Sequence, residues 1–262
     1  MKRLCLIAFV LFTHSVKCQI LKVDKGELDS DSANYFIGNI NVDFNMNNRS
    51  SSADQDITFI GFNGKSDLVY LGEKHAYILI NNLNYFKSTG GPLISTGYSH
   101  LRVNFLRKNK LSYESFAQIQ YDDGRNMPLR RLFGGGIRYR VFNTTNSQLH
   151  VGTGLMNEFE EWRQSEPSLL IEKEIWKNSS YIGFDTNINE MVSFNGIAFF
   201  QGGMDTESDI FRSRFSGDVS LSFVLTNNLS FNTSFSFQYE DRPIIRINNW
   251  VYSLTNGIKW EF

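Results

Sequence analysis

Apolar and polar side chains alternate along this chain with a period of two. Leu229, Phe231, Phe235, Phe237 and Tyr239 hold one parity, and Ser230, Asn232, Ser234, Ser236, Gln238 and Glu240 the other. A helix face does not produce that spacing, whereas a strand with two unlike faces does. Phe211, Phe215, Val219, Leu221, Phe223 and Leu225 alternate in the same way with Arg212, Arg214, Ser216, Asp218, Ser220 and Ser222. At the front, Phe36, Gly38, Ile40, Val42, Phe44 and Met46 alternate with Asn39, Asn41, Asp43 and Asn45. The closing segment sets Trp250, Tyr252, Leu254, Ile258, Trp260 and Phe262 against Ser253, Thr255, Gly257, Lys259 and Glu261.

Followed through the chain, the pattern predicts twelve strands, near 35–46, 55–71, 75–87, 94–107, 110–122, 131–142, 148–160, 177–189, 191–202, 208–226, 229–240 and 248–262. Short connections fall at 72–74, 108–109, 143–147, 189–190 and 227–228, with longer polar links between them. The fold class expected is therefore all-β, a transmembrane antiparallel up-and-down barrel of about twelve strands with periplasmic turns, extracellular loops and both termini in the periplasm. Residues 35–262 make the barrel, 19–34 a short acidic periplasmic lead, and no segment reads as a plug. Trp250 and Trp260 stand ten residues apart on one face, far enough to reach both interfacial belts. A soluble sandwich or lipocalin-like barrel also alternates, with its Phe-rich face inward. The mostly small, uncharged polar face from Ser230 onward suits a lumen better.

The first eighteen residues stand apart from this pattern. Met1, Lys2 and Arg3 give a positive start, and Leu4 to Phe12 an apolar run too short to span a bilayer, which together read as a secretory signal. Cleavage is expected after Cys18, with a lipoprotein anchor on Cys18 as the rival reading and Lys17 weighing against it. Both cysteines, Cys5 and Cys18, then leave with the signal, so no disulfide or cysteine metal site is expected. The place expected for the mature chain is the bacterial outer membrane.

Composition narrows the class further. The 262 residues include 23 Phe, 11 Tyr and only 4 Pro, with mean hydropathy -0.28, which excludes both a disordered chain and a helical membrane protein. Lys and Arg number 26 against 27 Asp and Glu, without the basic excess that a nucleic-acid partner requires.

Two further stretches carry a family resemblance. Tyr121-Asp122-Asp123-Gly124 with Arg130-Arg131-Leu132-Phe133-Gly134-Gly135-Gly136-Ile137-Arg138-Tyr139-Arg140 resembles the central strand-loop-strand signature of a bacterial outer-membrane family, domain of unknown function 481, the salt-induced YdiY-like proteins. Tyr239-Glu240-Asp241-Arg242-Pro243 and Gly257-Ile258-Lys259-Trp260-Glu261-Phe262 are similar to its last loop and last strand. The resemblance implies an outer-membrane barrel and brings no catalytic residues. The terminal Phe262, with Trp260, also resembles the signal by which barrel proteins are recognised by the barrel-assembly machinery, which would engage the chain by strand-edge pairing.

Candidate chemistry is sparse. Gly61-Phe62-Asn63-Gly64-Lys65-Ser66 ends like a phosphate-binding loop but has Phe59 where that motif needs a glycine, and no helix follows. Gly134-Gly135-Gly136 inside a strand is expected to relieve crowding at a bend or bulge rather than cradle phosphate. His75, His100 and His150 fall on three different strands without paired spacing, so no metal site is expected, and no cofactor. Asp122 and Asp123 at the extracellular rim, oriented by His100, define the competing class, an outer-membrane hydrolase of lipid or peptide. Adjacent residues of a strand face opposite ways, however, which keeps the two carboxylates apart.

The inward parity is the more informative. It carries His100, Gln118, Gln120 and Gln238, the basic Arg102, Arg138, Arg140, Arg212, Arg214 and Lys259, and the acidic Glu114, Asp218, Glu240 and Glu261. Paired across a narrow lumen, these charges would form a ladder that fills it; hydrated, they would line a small pore with slight anion preference. The expected role is accordingly structural, or passive diffusion of small solutes or ions. The longest loop is expected at 161–176, acidic through Glu161, Glu166, Glu172 and Glu174 and flanked by Trp162 and Trp176. Partners expected are outer-membrane lipid and lipopolysaccharide.

Overall fold

The computed structural model describes residues 34–48, 58–89, 91–164, 169–226 and 228–260, so the expected signal, most of the lead, Glu261 and Phe262 lie outside the described residues. Twelve strands follow one another: β1 (Tyr35–Asn48), β2 (Thr58–Leu71), β3 (His75–Ser88), β4 (Gly91–Phe105), β5 (Leu111–Asp122), β6 (Met127–Asn143), β7 (Ser147–Gln164), β8 (Leu169–Asn187), β9 (Val192–Asp205), β10 (Ile210–Thr226), β11 (Leu229–Glu240) and β12 (Trp250–Trp260). Each pairs antiparallel with the next in a single sheet ordered from β1 to β12 without a crossover. This is the up-and-down arrangement that the period-two pattern predicts. One end of the sheet, the turn end, carries the connections 72–74, 106–110, 144–146 and 188–191; the loop end carries 123–126, 206–209 and 241–249.

The sheet curls until strands distant in its order face one another. The Tyr181 hydroxyl on β8 donates to the Glu114 carboxylate on β5, and the Arg214 guanidinium on β10 reaches Glu158 on β7. Such contacts require a rolled sheet with a lumen, and they fix the inward parity. The opposite parity exposes Leu101, Tyr113, Ile119, Phe133, Leu155, Trp176, Ile182 and Phe215. Apolar outside and polar inside reverses the layout of a soluble barrel.

Two expectations about the ends are corrected. Residues expected as the longest loop, 161–176, are mostly strand: β7 and β8 stay paired from Ser147↔Thr186 out to Gln164↔Leu169. Alternation continues there, with Trp162, Ile171 and Ile175 turned inward and Glu172, Glu174 and Trp176 outward, so the ladder has no reason to stop at the charges. Glu161, Glu172 and Glu174 thus lie on the outer face of a β-ribbon, while Glu166 lies outside the described residues. Long connections at the loop end are also fewer than expected, since 89–90, 123–126 and 206–209 are as short as the turns.

The interior is layered. Val69, Leu71, Ala76, Ile78 and Ile80 form an apolar cluster on β2 and β3 toward the turn end. At the loop end Met127, Trp162 and Ile245 form another, joined by Ile171, Ile244 and Ile247. Three of these isoleucines belong to the 241–249 connection, which therefore folds inward as a cap. That corrects the expectation that no segment plugs the lumen. The cap is pinned where Arg212 Nη1 donates to the Arg242 carbonyl (2.6 Å) and the Asp241 N–H to the Ser213 carbonyl (3.0 Å).

The glycine run of β6 sits where backbone of the neighbouring strands presses close. A Cβ on Gly136 would stand 2.3 Å from the Thr153 carbonyl oxygen, and one on Gly134 would stand 2.5 Å from that of Leu155. Relief of crowding accounts for both.

Candidate functional site

Directly beneath the cap, inward alternation brings charged side chains from five strands together. Arg130 comes from β6, Glu158 and Glu160 from β7, Lys177 from β8, Arg214 from β10 and Glu240 from β11, all buried. Glu158 is the hub: Arg130, Arg214 and Lys177 all pair with it, Arg214 Nη1 at 2.9 Å. Glu160 receives Arg130 Nε at 3.2 Å, Arg214 Nη2 at 2.8 Å and the Trp162 indole N–H at 3.1 Å. Glu240 receives Arg214 Nε at 2.8 Å and, from the far side, Arg125 Nη2 at 3.2 Å. With β8 and β9 intervening between β7 and β10 in the sheet, these bonds reach across the inner face of the curled sheet. Desolvated charges at such distances persist only when each has partners of opposite sign, as here.

Below this seal lies a chamber of about 80 Å³ lined by eight strands, β4 to β11. Arg102 and Glu114 face each other there with their nearest atoms 3.9 Å apart. The Tyr181 hydroxyl sits 2.9 Å from both Glu114 oxygens, and the Arg102 guanidinium lies 5.9 Å from the ring centres of both Phe116 and Tyr181. His100 stacks on Phe116 with its Nδ1 2.8 Å from Gln118 Oε1. Above the seal, beyond outward-facing Trp176, Asp205 accepts from Arg212 Nε (2.9 Å), the Ser208 N–H (3.2 Å) and Lys173 (3.3 Å). Burial alone would push the Asp205 carboxyl up, but these hydrogen bonds hold it down at about 2.

Among the residues predicted to line the lumen, Arg102, Glu114, Arg214 and Glu240 are brought into these pairs. Arg212 belongs to the rim, on Asp205. Asp218 accepts from Ser236 Oγ at 2.5 Å, Arg138 is buried, and Arg140 donates to the Arg107 carbonyl toward the turn end (3.1 Å). The side chains of Lys259 and Glu261 lie outside the described residues, as does Phe262, while Trp260 is exposed. Sequence reasoning missed Arg130, Glu158, Glu160 and Lys177. Period two could have found the glutamates, which share a parity with Met156 and Trp162 and alternate with Leu155, Asn157 and Phe159; Arg130 and Lys177 fell at strand ends drawn too short.

At the rim, Asp122 and Asp123 do not converge. Asp122 Oδ1 caps the short 3-10 turn by accepting from the Arg125 N–H (3.2 Å), and Asp123 pairs with exposed Arg163 (3.3 Å). Among the described residues no three His, Cys, Asp or Glu side chains form a group that could hold a metal ion. A family model described as "Protein of unknown function, DUF481" matches residues 58–244, a span holding every member of the seal. No curated protein matches the chain.

Proposed function

The chain belongs to the DUF481 family of proteins of unknown function, and from that premise we propose that it is an outer-membrane β-barrel with a structural role, shut to diffusion by its own side chains. The outward face supports the membrane reading. Phe36, Tyr70 and Tyr77 run side by side near the turn end, with centroids 4.7 and 6.0 Å apart, and Tyr239 and Trp250 contact at 4.7 Å near the loop end. Aromatic girdles at two heights are what two lipid–water interfaces select. Trp250 and Trp260, ten residues apart, span about 34 Å of strand, or about 26 Å of height at a tilt of about 40°, against an apolar band of about 25 Å.

The observation that carries the structural reading is the seal. An open pore needs hydrated, unpaired charges along its length, whereas here Arg130, Glu158, Glu160, Lys177, Arg214 and Glu240 are buried and satisfied by one another between β6, β7, β8, β10 and β11. The cap adds an apolar lid above them. Conductance of the protein refolded into planar bilayers tests this, after a gel has shown the heat-dependent mobility shift of a folded barrel. The expected trace is silent, and it stays silent when 241–249 is shortened, because the ionic seal lies beneath the cap. Discrete conductance steps from the folded wild type would refute the reading.

A further inference from the structure

Between the seal and its cap the charges do not balance. Lys177, Arg212, Arg214 and Arg242 line a cavity there of about 20 Å³, against Glu160 and Glu240. Both carboxylates are spent. Glu160 accepts from Arg130, Arg214 and Trp162, and Glu240 from Arg214, Arg125 and the Gln238 amide. Arg214 and Lys177 are likewise turned to the glutamates of the seal.

Arg212 and Arg242 have no such outlet. Arg212 Nε donates to Asp205, a carboxylate it shares with Lys173, and Nη1 donates to the Arg242 carbonyl. Its Nη2 has no hydrogen-bond partner among the described residues, yet keeps accessible surface on a side chain that is 11% exposed. A guanidinium presents five N–H donors, and leaving them unmade away from bulk water costs free energy. The Arg242 guanidinium makes no hydrogen bond among the described residues, because its nearest carboxylate, Asp241, stands 3.7 Å from Nε. The bond from Arg212 to the Arg242 backbone holds these two like charges at one cavity instead of letting them part.

We propose that this cavity is the site of one small monovalent anion of chloride size, held between Arg212 Nη2 on β10 and the Arg242 guanidinium of the cap. A single water needs about 10–15 Å³, so about 20 Å³ admits one sphere slightly larger than water and excludes phosphate, sulfate and carboxylate anions. Pro243 and Ile244 supply apolar wall, and in such surroundings a charged donor holds an anion more strongly than in water. The ion ties the cap to β10 and supplies the missing counter-charge. It enters from the loop end, where the Arg242 side chain is 59% exposed. The site lies above the seal, so anion binding and the absence of conductance stand or fall separately.

Urea midpoints of the full chain in lipid vesicles test this, measured against rising chloride with ionic strength held constant by gluconate, which is too large for the cavity. The wild-type midpoint is expected to rise along a saturating curve, as mass action requires of a ligand bound by the folded state, with bromide able to replace chloride. Arg242→Gln keeps the carbonyl that Arg212 needs, and is expected to weaken the apparent chloride affinity at least tenfold. Arg212→Gln flattens the curve too, from a lower starting midpoint because the Asp205 pair is also lost. Arg246→Gln removes the same charge from an exposed cap arginine that does not line the cavity, and leaves the response intact. Excess broadening of the chloride NMR signal by the detergent-solubilised barrel, reversed by bromide, reports occupancy directly. Water as the only occupant would give equal midpoints in chloride and gluconate and no excess broadening, which overturns the proposal. A response lost as fully in Arg246→Gln as in Arg242→Gln overturns it as well, since that is general screening of surface charge.

Discussion

Replacing Glu158 with Gln removes one charge and almost no volume, and so isolates the electrostatics of the seal. Three cations lose a partner. Arg130 and Arg214 retain Glu160 at 3.2 and 2.8 Å, and Arg214 also keeps Glu240, so their charges stay compensated. Lys177 does not: its ammonium is 5% exposed, and Glu158 is the carboxylate it meets. Breaking a buried pair from one side typically costs about 3–5 kcal/mol, nearly all of it the stranded charge. With two of three cations compensated, the lower end applies, about 3 kcal/mol, or roughly a hundredfold in the folding equilibrium. Urea unfolding in lipid vesicles, followed by tryptophan fluorescence, measures it, provided that the m-value is unchanged. Asp123→Asn is the internal control: its pair with Arg163 is 41% and 60% exposed, and its loss should cost about 0–1 kcal/mol. A companion Lys177→Met change in the Glu158→Gln background should recover part of the loss, because it removes the stranded charge itself. Equal midpoints for Glu158→Gln and Asp123→Asn would refute the claim that the seal is a desolvated network.

Two further outcomes follow from the same geometry. Gly136→Ala forces a methyl to within 2.3 Å of the Thr153 carbonyl and 2.7 Å of Gly154 Cα, both backbone, so β6 and β7 must part; a loss of about 2 kcal/mol is expected by urea midpoint, against none for Gly257→Ala, where nothing lies within 4 Å. At the rim, Asp205 has a carboxyl value depressed to about 2, so its contribution is present above the ordinary aspartate value and is lost as pH falls from there through about 2; the stability gap between wild type and Asp205→Asn should therefore stay constant from pH 7 to about 4.5, narrow below about 4 and close only as pH falls through about 2, and a gap that closes near pH 6 would contradict the assignment.

Strand number, the up-and-down order and the facing of the cleanly alternating segments were legible in the sequence because each follows from a local rule, the period of two, that needs only neighbouring residues; β2 and β3, apolar on both parities around Val69, Leu71, Ala76, Ile78 and Ile80, gave no such sign. Arg102, Glu114, Arg214 and Glu240 were placed inward on that rule alone. Strand ends were less legible where charge was taken as a sign of loop. Glu172 and Glu174 interrupt the apolar run of β8 without interrupting its ladder, since both are exposed on its outer face, and the shortened strand left Lys177 as its first residue. Ile244, Ile245 and Ile247, an apolar cluster in a connection otherwise expected to be solvated, were a readable sign of the cap.

The sequence by itself thus determined the strands and, where polar and apolar alternate, which residues share a face, and the tertiary structure decided which of them meet. Glu158 and Arg214 are separated by two intervening strands, and Arg125 reaches Glu240 from the opposite side of the sheet. Alternation is blind to that distance: it assigns a face but carries no information about how tightly the sheet curls or how far successive strands are staggered. Curl and stagger set which inward positions share one level of the lumen. The same set of inward charges would stand apart in a wider roll, and in this one Glu158 and Arg214 meet.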